Sequence, residues 1–197
     1  SQIFEMVMAT DISDSQLSEA PRAENITYSK QPAEHTDFVE NSFDLVVAAQ
    51  AIHWFDFERF YGEVRRTSKD RGIICAVGYG NVLLPDPLCD LFNEFYNSVV
   101  GPYWDPERRY LDKGYKTIPF PFDEISAPAF SIEKIWSLDQ LIGYISTWSA
   151  VKHFSSKMGF SPMPEFSAKL KNVWQGDREI EAKFPLLLRV GRVLKRG

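Results

Sequence analysis

The chain has 197 residues, of which 44% are hydrophobic, and a formal net charge of −5. This suits one folded domain with its own core, excludes a disordered composition, and gives no global electrostatic reason to bind nucleic acid. No apolar run approaches the roughly 18 to 20 residues of a membrane span. Cys75 and Cys89 form neither a CxxC pair nor a disulfide framework, so reduced thiols in a cytoplasmic setting are the expectation.

In chain order, Phe4 to Thr10 reads as a short strand ending at Asp11. Ser13, with Gln16 three positions on, has the spacing of a helix start, and that helix should end near Pro21. Ile26 to Ser29 is a second strand, followed by the loop QPAEHTDF. Phe43 to Ala48 is a third strand, apolar on both faces and so expected to be buried on both. Phe57 to Thr67 carries apolar residues at helical spacing, and Gly72 to Tyr79 is a fourth strand. This alternation is the rhythm of a doubly wound α/β sheet.

Beyond Gly80 the pattern changes. Pro85 to Val100 reads as an amphipathic helix, and Tyr103 to Gly114 as a polar, aromatic-rich segment with room for another. TIPFPFDEISAP is Pro-rich and extended. Ala129 to Trp136 alternates as a strand, Leu138 to Lys152 and Pro164 to Trp174 read as helices, the first broken near Ser149, and Glu179 to Val193 is a long β-prone stretch. A closing antiparallel strand pair with a helical lid inserted at about 138–175 is expected. Arg189, Arg192, Lys195 and Arg196 read as a solvated strand face and tail. The whole is taken as one domain, with residues 1–80 as one half and 81–197 as the other.

The segment FDLVVAAQAIHWFD, Phe43 to Asp56, carries the most chemical information. It ends a strand in small residues and then presents Gln50, His53 and Trp54. In open α/β sheets ligands bind outside the carboxyl ends of the strands, so these side chains read as the floor of a site.

Taken in order, ATDIS (Ala9 to Ser13), AEH (Ala33 to His35), ENSFDLV, AQAIHWFD and AVGYG (Ala76 to Gly80) resemble the class I S-adenosylmethionine-dependent methyltransferases. Within them the chain is most similar to the Rossmann-like small-molecule group that includes trans-aconitate-type enzymes, and the likeness runs on through WSLDQLIGYISTWSAV and FPLLLRVGRV. The resemblance implies a Rossmann-like doubly wound sheet with a C-terminal antiparallel pair. It also implies S-adenosylmethionine as cofactor and an O, N or C nucleophile of a small molecule as methyl acceptor. One feature departs from it. The family's first strand and Gly-rich loop, which let the backbone approach the cofactor closely, are missing from the chain, which begins at Ser1, so these residues alone are expected to bind cofactor poorly.

The resemblance assigns roles residue by residue. Asp11 would take the ribose hydroxyls, or else cap the following helix; Ile12 would pack on adenine, or else in the core. Ala33 and Glu34 would read the adenine edge, Glu34 otherwise being an exposed loop charge. Ala49 and Gln50 would face the methionine moiety. His53 is the candidate general base, with a structural hydrogen-bonding role as the alternative. Trp54, Tyr79, Tyr144, Trp148 and His153 are the acceptor-pocket candidates, each with core packing as the alternative. No metal site, nucleic-acid partner or membrane is implied, and oligomeric state is not readable. A nicotinamide-dependent oxidoreductase shares the acidic residue after the second strand but fits AQAIHWFD less well. A non-catalytic nucleotide-binding or interaction module is the alternative from another class.

Overall fold

The computed structural model describes residues 2–174, 176 and 178–195; Ser1 and Arg196 lie outside the described residues. In chain order it contains β1 (Val7–Asp11), α1 (Asp14–Ser18), β2 (Ile26–Lys30), β3 (Phe43–Ala49), a 3-10 turn (Ile52–Trp54), α2 (Phe57–Thr67) and β4 (Ser68–Tyr79). There follow α3 (Leu88–Glu94), a π-helical turn (Phe95–Val99), a 3-10 turn (Gly101–Tyr103), α4 (Arg108–Asp112), β5 (Asp123–Ile125), β6 (Ser131–Trp136), α5 (Leu138–Ser146), α6 (Ser149–Met158), α7 (Met163–Val173) and β7 (Ile180–Arg192). The described residues fall into two compact units: those up to 76, 119–126 and those from 189 on form the first, and those within 77–118 and 127–188 the second.

The strands form two sheets, β1–β2 and β3–β4–β7–β5, with β6 also on β7. β1 and β2 are parallel, from Val7 opposite Ile26 to Asp11 opposite Lys30, so their carboxyl ends are level. The closing antiparallel pair is present as β6 and β7, from Ser131 opposite Pro185 to Trp136 opposite Ile180. β7 also takes β5 as an antiparallel neighbour; this short strand was read only as extended Pro-rich chain.

The double-sided burial expected of β3 is not reached. Ala48 is its one buried residue and Val47 is exposed, because β3 has β4 as its single neighbour among the described strands. β4 instead shows the period-2 burial of a covered strand, with Gly72, Ile74 and Ala76 inward. α2 has the predicted bounds: Asp56 caps it by accepting from the Arg59 N–H at 3.1 Å, and Phe60, Tyr61 and Val64 are buried.

In the second unit the amphipathic stretch begins as α3 and loosens into the π-helical turn. The break expected near Ser149 falls at Thr147 and Trp148, between α5 and α6. Ser137 and Gln140 start α5 with a reciprocal capping box. α3, α5 and α7 bury Phe92, Leu141, Ile145, Phe166 and Leu170 in one apolar cluster, where the rings of Phe95 and Phe166 stack at 3.9 Å.

Candidate functional site

In the first unit hydrogen bonds join the ends of β1 and β2, and join the turn after β2 to the start of α2. Gln31, just past β2, donates its backbone N–H to the carbonyl of Asp11 at the end of β1 (3.3 Å). The Asp11 carboxylate accepts the Ser13 N–H at 2.8 Å, which fixes its direction, while Ser13 itself caps α1 by accepting from Gln16 at 3.4 Å. Ile12, the next residue, is 70% exposed and therefore outside the core. Ala33 and Glu34 form the turn after β2. The Glu34 carboxylate accepts the backbone N–H of Asp56 at 3.1 Å, tying this turn to the segment after β3.

A second tie lies further along α2. Glu63, 8% exposed, accepts the Thr36 N–H at 2.8 Å and two N–H groups of Arg66, Nε at 2.8 Å and Nη2 at 2.6 Å. Arg66 also donates to the carbonyls of Phe38 (2.6 Å) and Thr36 (3.1 Å). The Arg66 guanidinium, helped by the Thr36 bonds, lowers the Glu63 pKa to about 2. The loop that carries Ala33 and Glu34 is thereby pinned to α2 at two points. The sequence reading missed Glu63 and Arg66, whose i,i+3 spacing is that of an ordinary surface pair.

Ala49 ends β3 and Gln50 follows with φ +52°, a left-handed backbone that is uncommon outside glycine. His53 is 5% exposed within the 3-10 turn, its ring tilted against Trp54 at 5.1 Å, and Trp54 is 56% exposed. Asp11 also borders a cavity of about 360 Å³ against α1, with Thr10, Gln16, Leu17 and Tyr28. A larger groove of about 810 Å³, lined by Arg65, Arg66, Phe122, Arg192 and Lys195, contains none of the candidate residues.

Tyr79, Tyr144 and Trp148 come together in the second unit. Tyr79 and Tyr144 both meet Phe184 edge-on at 5.8 and 5.3 Å, and Tyr144 meets Trp148 edge-on at 5.8 Å. Burial pushes the Tyr144 pKa up to about 12, opposed by a hydrogen bond from Trp148. His153 stands apart on the exposed side of α6, with Nδ1 3.0 Å from the Tyr103 carbonyl oxygen. Trp104, Arg108 and Tyr115, in a segment read only as polar and aromatic, also belong to this neighbourhood.

The basic C-terminal face is not simply solvated. Arg189 makes a two-point pair with Glu124 (2.7 and 2.7 Å) and lies over the Phe120 ring at 4.5 Å. Cys75 and Cys89 are free, half-buried thiols. Among the described residues no group of three or more acidic, His or Cys side chains could hold a metal ion. No described helix is long and apolar enough to cross a membrane.

Residues 1–76 match the family described as methyltransferase domain. A protein of Dictyostelium discoideum described as a candidate methyltransferase is 29% identical over 192 residues, 94% of this chain and 73% of that protein. The solved structure of a candidate type II methyltransferase from Anaeromyxobacter dehalogenans is 36% identical, with a TM-score of 0.90 over 99% of this chain and 83% of its own. The YcgJ protein of Bacillus subtilis, 17% identical with a TM-score of 0.51 over 98% of this chain and 84% of its own, shares the fold alone. On the strength of the 36% identity across most of a solved relative, joined to the matching N-terminal family, the chain belongs to the class I S-adenosylmethionine-dependent methyltransferases.

Proposed function

We propose that the joined loops after β1, β2 and β3 bind S-adenosylmethionine, and that the protein methylates an O, N or C nucleophile of a small molecule. The observation that supports this most is the pair of ties, Gln31 to Asp11 and Asp56 to Glu34, that links the ends of β1 and β2 with the loop between β3 and α2 in one unit. The side chains there suit a nucleoside. The Asp11 carboxylate, oriented by the Ser13 N–H, is an acceptor for ribose hydroxyls. Ala33 and Glu34 offer a backbone N–H and a carboxylate to an adenine edge, and Ile12 offers an exposed apolar side chain to its face. Ala49 and Gln50 are the candidates for the methionine end.

When bound, S-adenosylmethionine supplies an electrophilic methyl group on a sulfonium, so the chain's own contribution is mainly alignment and exclusion of water. His53 is the candidate to take a proton where the acceptor carries one, and Trp54 presents its indole beside the same loops. Tyr79, Tyr144 and Trp148 are the aromatic candidates for holding the acceptor, with His153 outside that trio.

The test is an incubation of the protein with methyl-labelled S-adenosylmethionine and a panel of small acids, alcohols and amines, following label transfer and S-adenosylhomocysteine release. Transfer to at least one acceptor is expected. Cofactor binding without any transfer would favour a non-catalytic nucleotide-binding module. Absence of both would end the reading.

A further inference from the structure

Trp104 and Arg108 leave hydrogen-bonding capacity unused in the interior of the second unit. Trp104 Nε1 is buried and has no hydrogen-bond partner among the described residues, a costly state for an indole N–H. Arg108 lies across that indole, its guanidinium carbon 4.6 Å from the ring centroid, and 5.4 Å from the Tyr96 ring. Its Nε donates to the Tyr96 hydroxyl at 2.8 Å and reaches Asp112 only at 3.4 Å, and Nη2 donates to Asn81. Nη1 donates to nothing among the described residues. Asp112 faces the guanidinium, and its nearer oxygen already accepts the Tyr96 hydroxyl at 2.6 Å. The positive charge is thus held between aromatic rings and only loosely paired.

We propose that Arg108 and Trp104 form the recognition point for an oxyanion, a carboxylate or phosphate carried by the methyl acceptor; this deepens the methyltransferase reading and rests on it. An oxyanion supplies what both donors lack: a counter-charge for the guanidinium and an acceptor for the indole N–H. The surroundings suit it. The hydroxyls of Tyr115 and Tyr144 lie close enough to feel the Arg108 charge. Tyr115 is fully buried and sits at φ +61°, a backbone state disfavoured for a bulky residue.

The test is calorimetric titration of the protein, without cofactor, with hexanoate, hexyl phosphate and hexanol, which share one chain and differ in the head group. The wild type should bind at least one oxyanion about 10-fold more tightly than hexanol, as for a charged hydrogen bond; which oxyanion it is identifies the source. Trp104→Phe keeps an aromatic, though smaller, side chain and removes the N–H donor, and Arg108→Met removes the charge. Each should abolish the preference in a variant that folds by circular dichroism. If Arg108→Met fails to fold by circular dichroism, Trp104→Phe decides. No preference in the wild type, or a preference that survives substitution in a folded variant, overturns the proposal. A preference without any methyl transfer would leave this site standing and remove the enzyme reading. Transfer to neutral acceptors with no preference would do the reverse.

Discussion

Glu63 and Arg66, three residues apart on α2, hold each other through two hydrogen bonds of 2.8 and 2.6 Å, and together they grip Thr36 and Phe38 in the loop after β2. Glu63 is buried and Arg66 partly exposed, so removing the carboxylate leaves the guanidinium and the Thr36 N–H without their acceptor. Glu63→Gln should lower unfolding stability by about 2 to 3 kcal/mol and raise amide hydrogen exchange in residues 33–38. Unchanged exchange there, measured by mass spectrometry, would show that the pair does not pin the loop.

The same pair sets a pH dependence. The pKa of Glu63 is lowered to about 2 in the folded chain from an ordinary 4.5. Its contribution is therefore present above about pH 4.5 and is lost as pH falls towards about 2. Thermal melts of wild type and Glu63→Gln should differ most above pH 5 and converge in acid. A gap that stays constant down to about pH 2 would contradict the assignment.

Gly191 is where β7 passes under two phenylalanines. A Cβ there would come within 2.8 Å of both Phe120 Cε1 and Phe122 Cβ. Gly191→Ala should cost about 1 to 3 kcal/mol through overpacking, read from a urea midpoint. A neutral result would mean that residues 119–126 shift freely off the strand.

Tyr61, Tyr115 and Tyr144 each have pKa values pushed up to about 12 by burial. Their neutral forms favour the fold, so alkaline stability should fall as pH climbs from about 10 to 12. Absorbance titration of phenolate should show late-ionising tyrosines whose appearance coincides with loss of ellipticity. A single transition near pH 10 for all tyrosines in a still-folded protein would contradict this.

The elements that sequence made legible are those with local causes. α2 announced itself through Phe60, Tyr61 and Val64 at helical spacing with Asp56 before them, and the Ser13 cap through its offset to Gln16. What stayed hidden depends on distant partners. β5 is three residues long, follows Pro119 and Pro121, and exists because Asp123 to Ile125 pair with Val190 to Arg192. Glu34 reads as an adenine-edge contact or else an exposed loop charge, and its tie to Asp56 stayed hidden because that partner is 22 positions away. Arg108 looked like one charge among several in a polar stretch. Its setting is made by Asn81, 27 positions upstream, and by Tyr96 and Trp104. The exposure of Val47 on β3 likewise follows from which strands are neighbours, which residue spacing does not encode.

The central claim is that Asp11 sits in a site for S-adenosylmethionine. The most direct measurement is calorimetric titration of S-adenosylhomocysteine into the full-length protein and its Asp11→Asn variant, with melting temperature as the folding control. Asp11→Asn keeps the shape and a carbonyl acceptor for the Ser13 N–H but loses the charge proposed to receive the ribose hydroxyls. Saturable binding to the wild type, weakened about 10-fold or more in the variant with little change in melting, is the predicted result. No binding to the wild type, or equal binding to both, would contradict it.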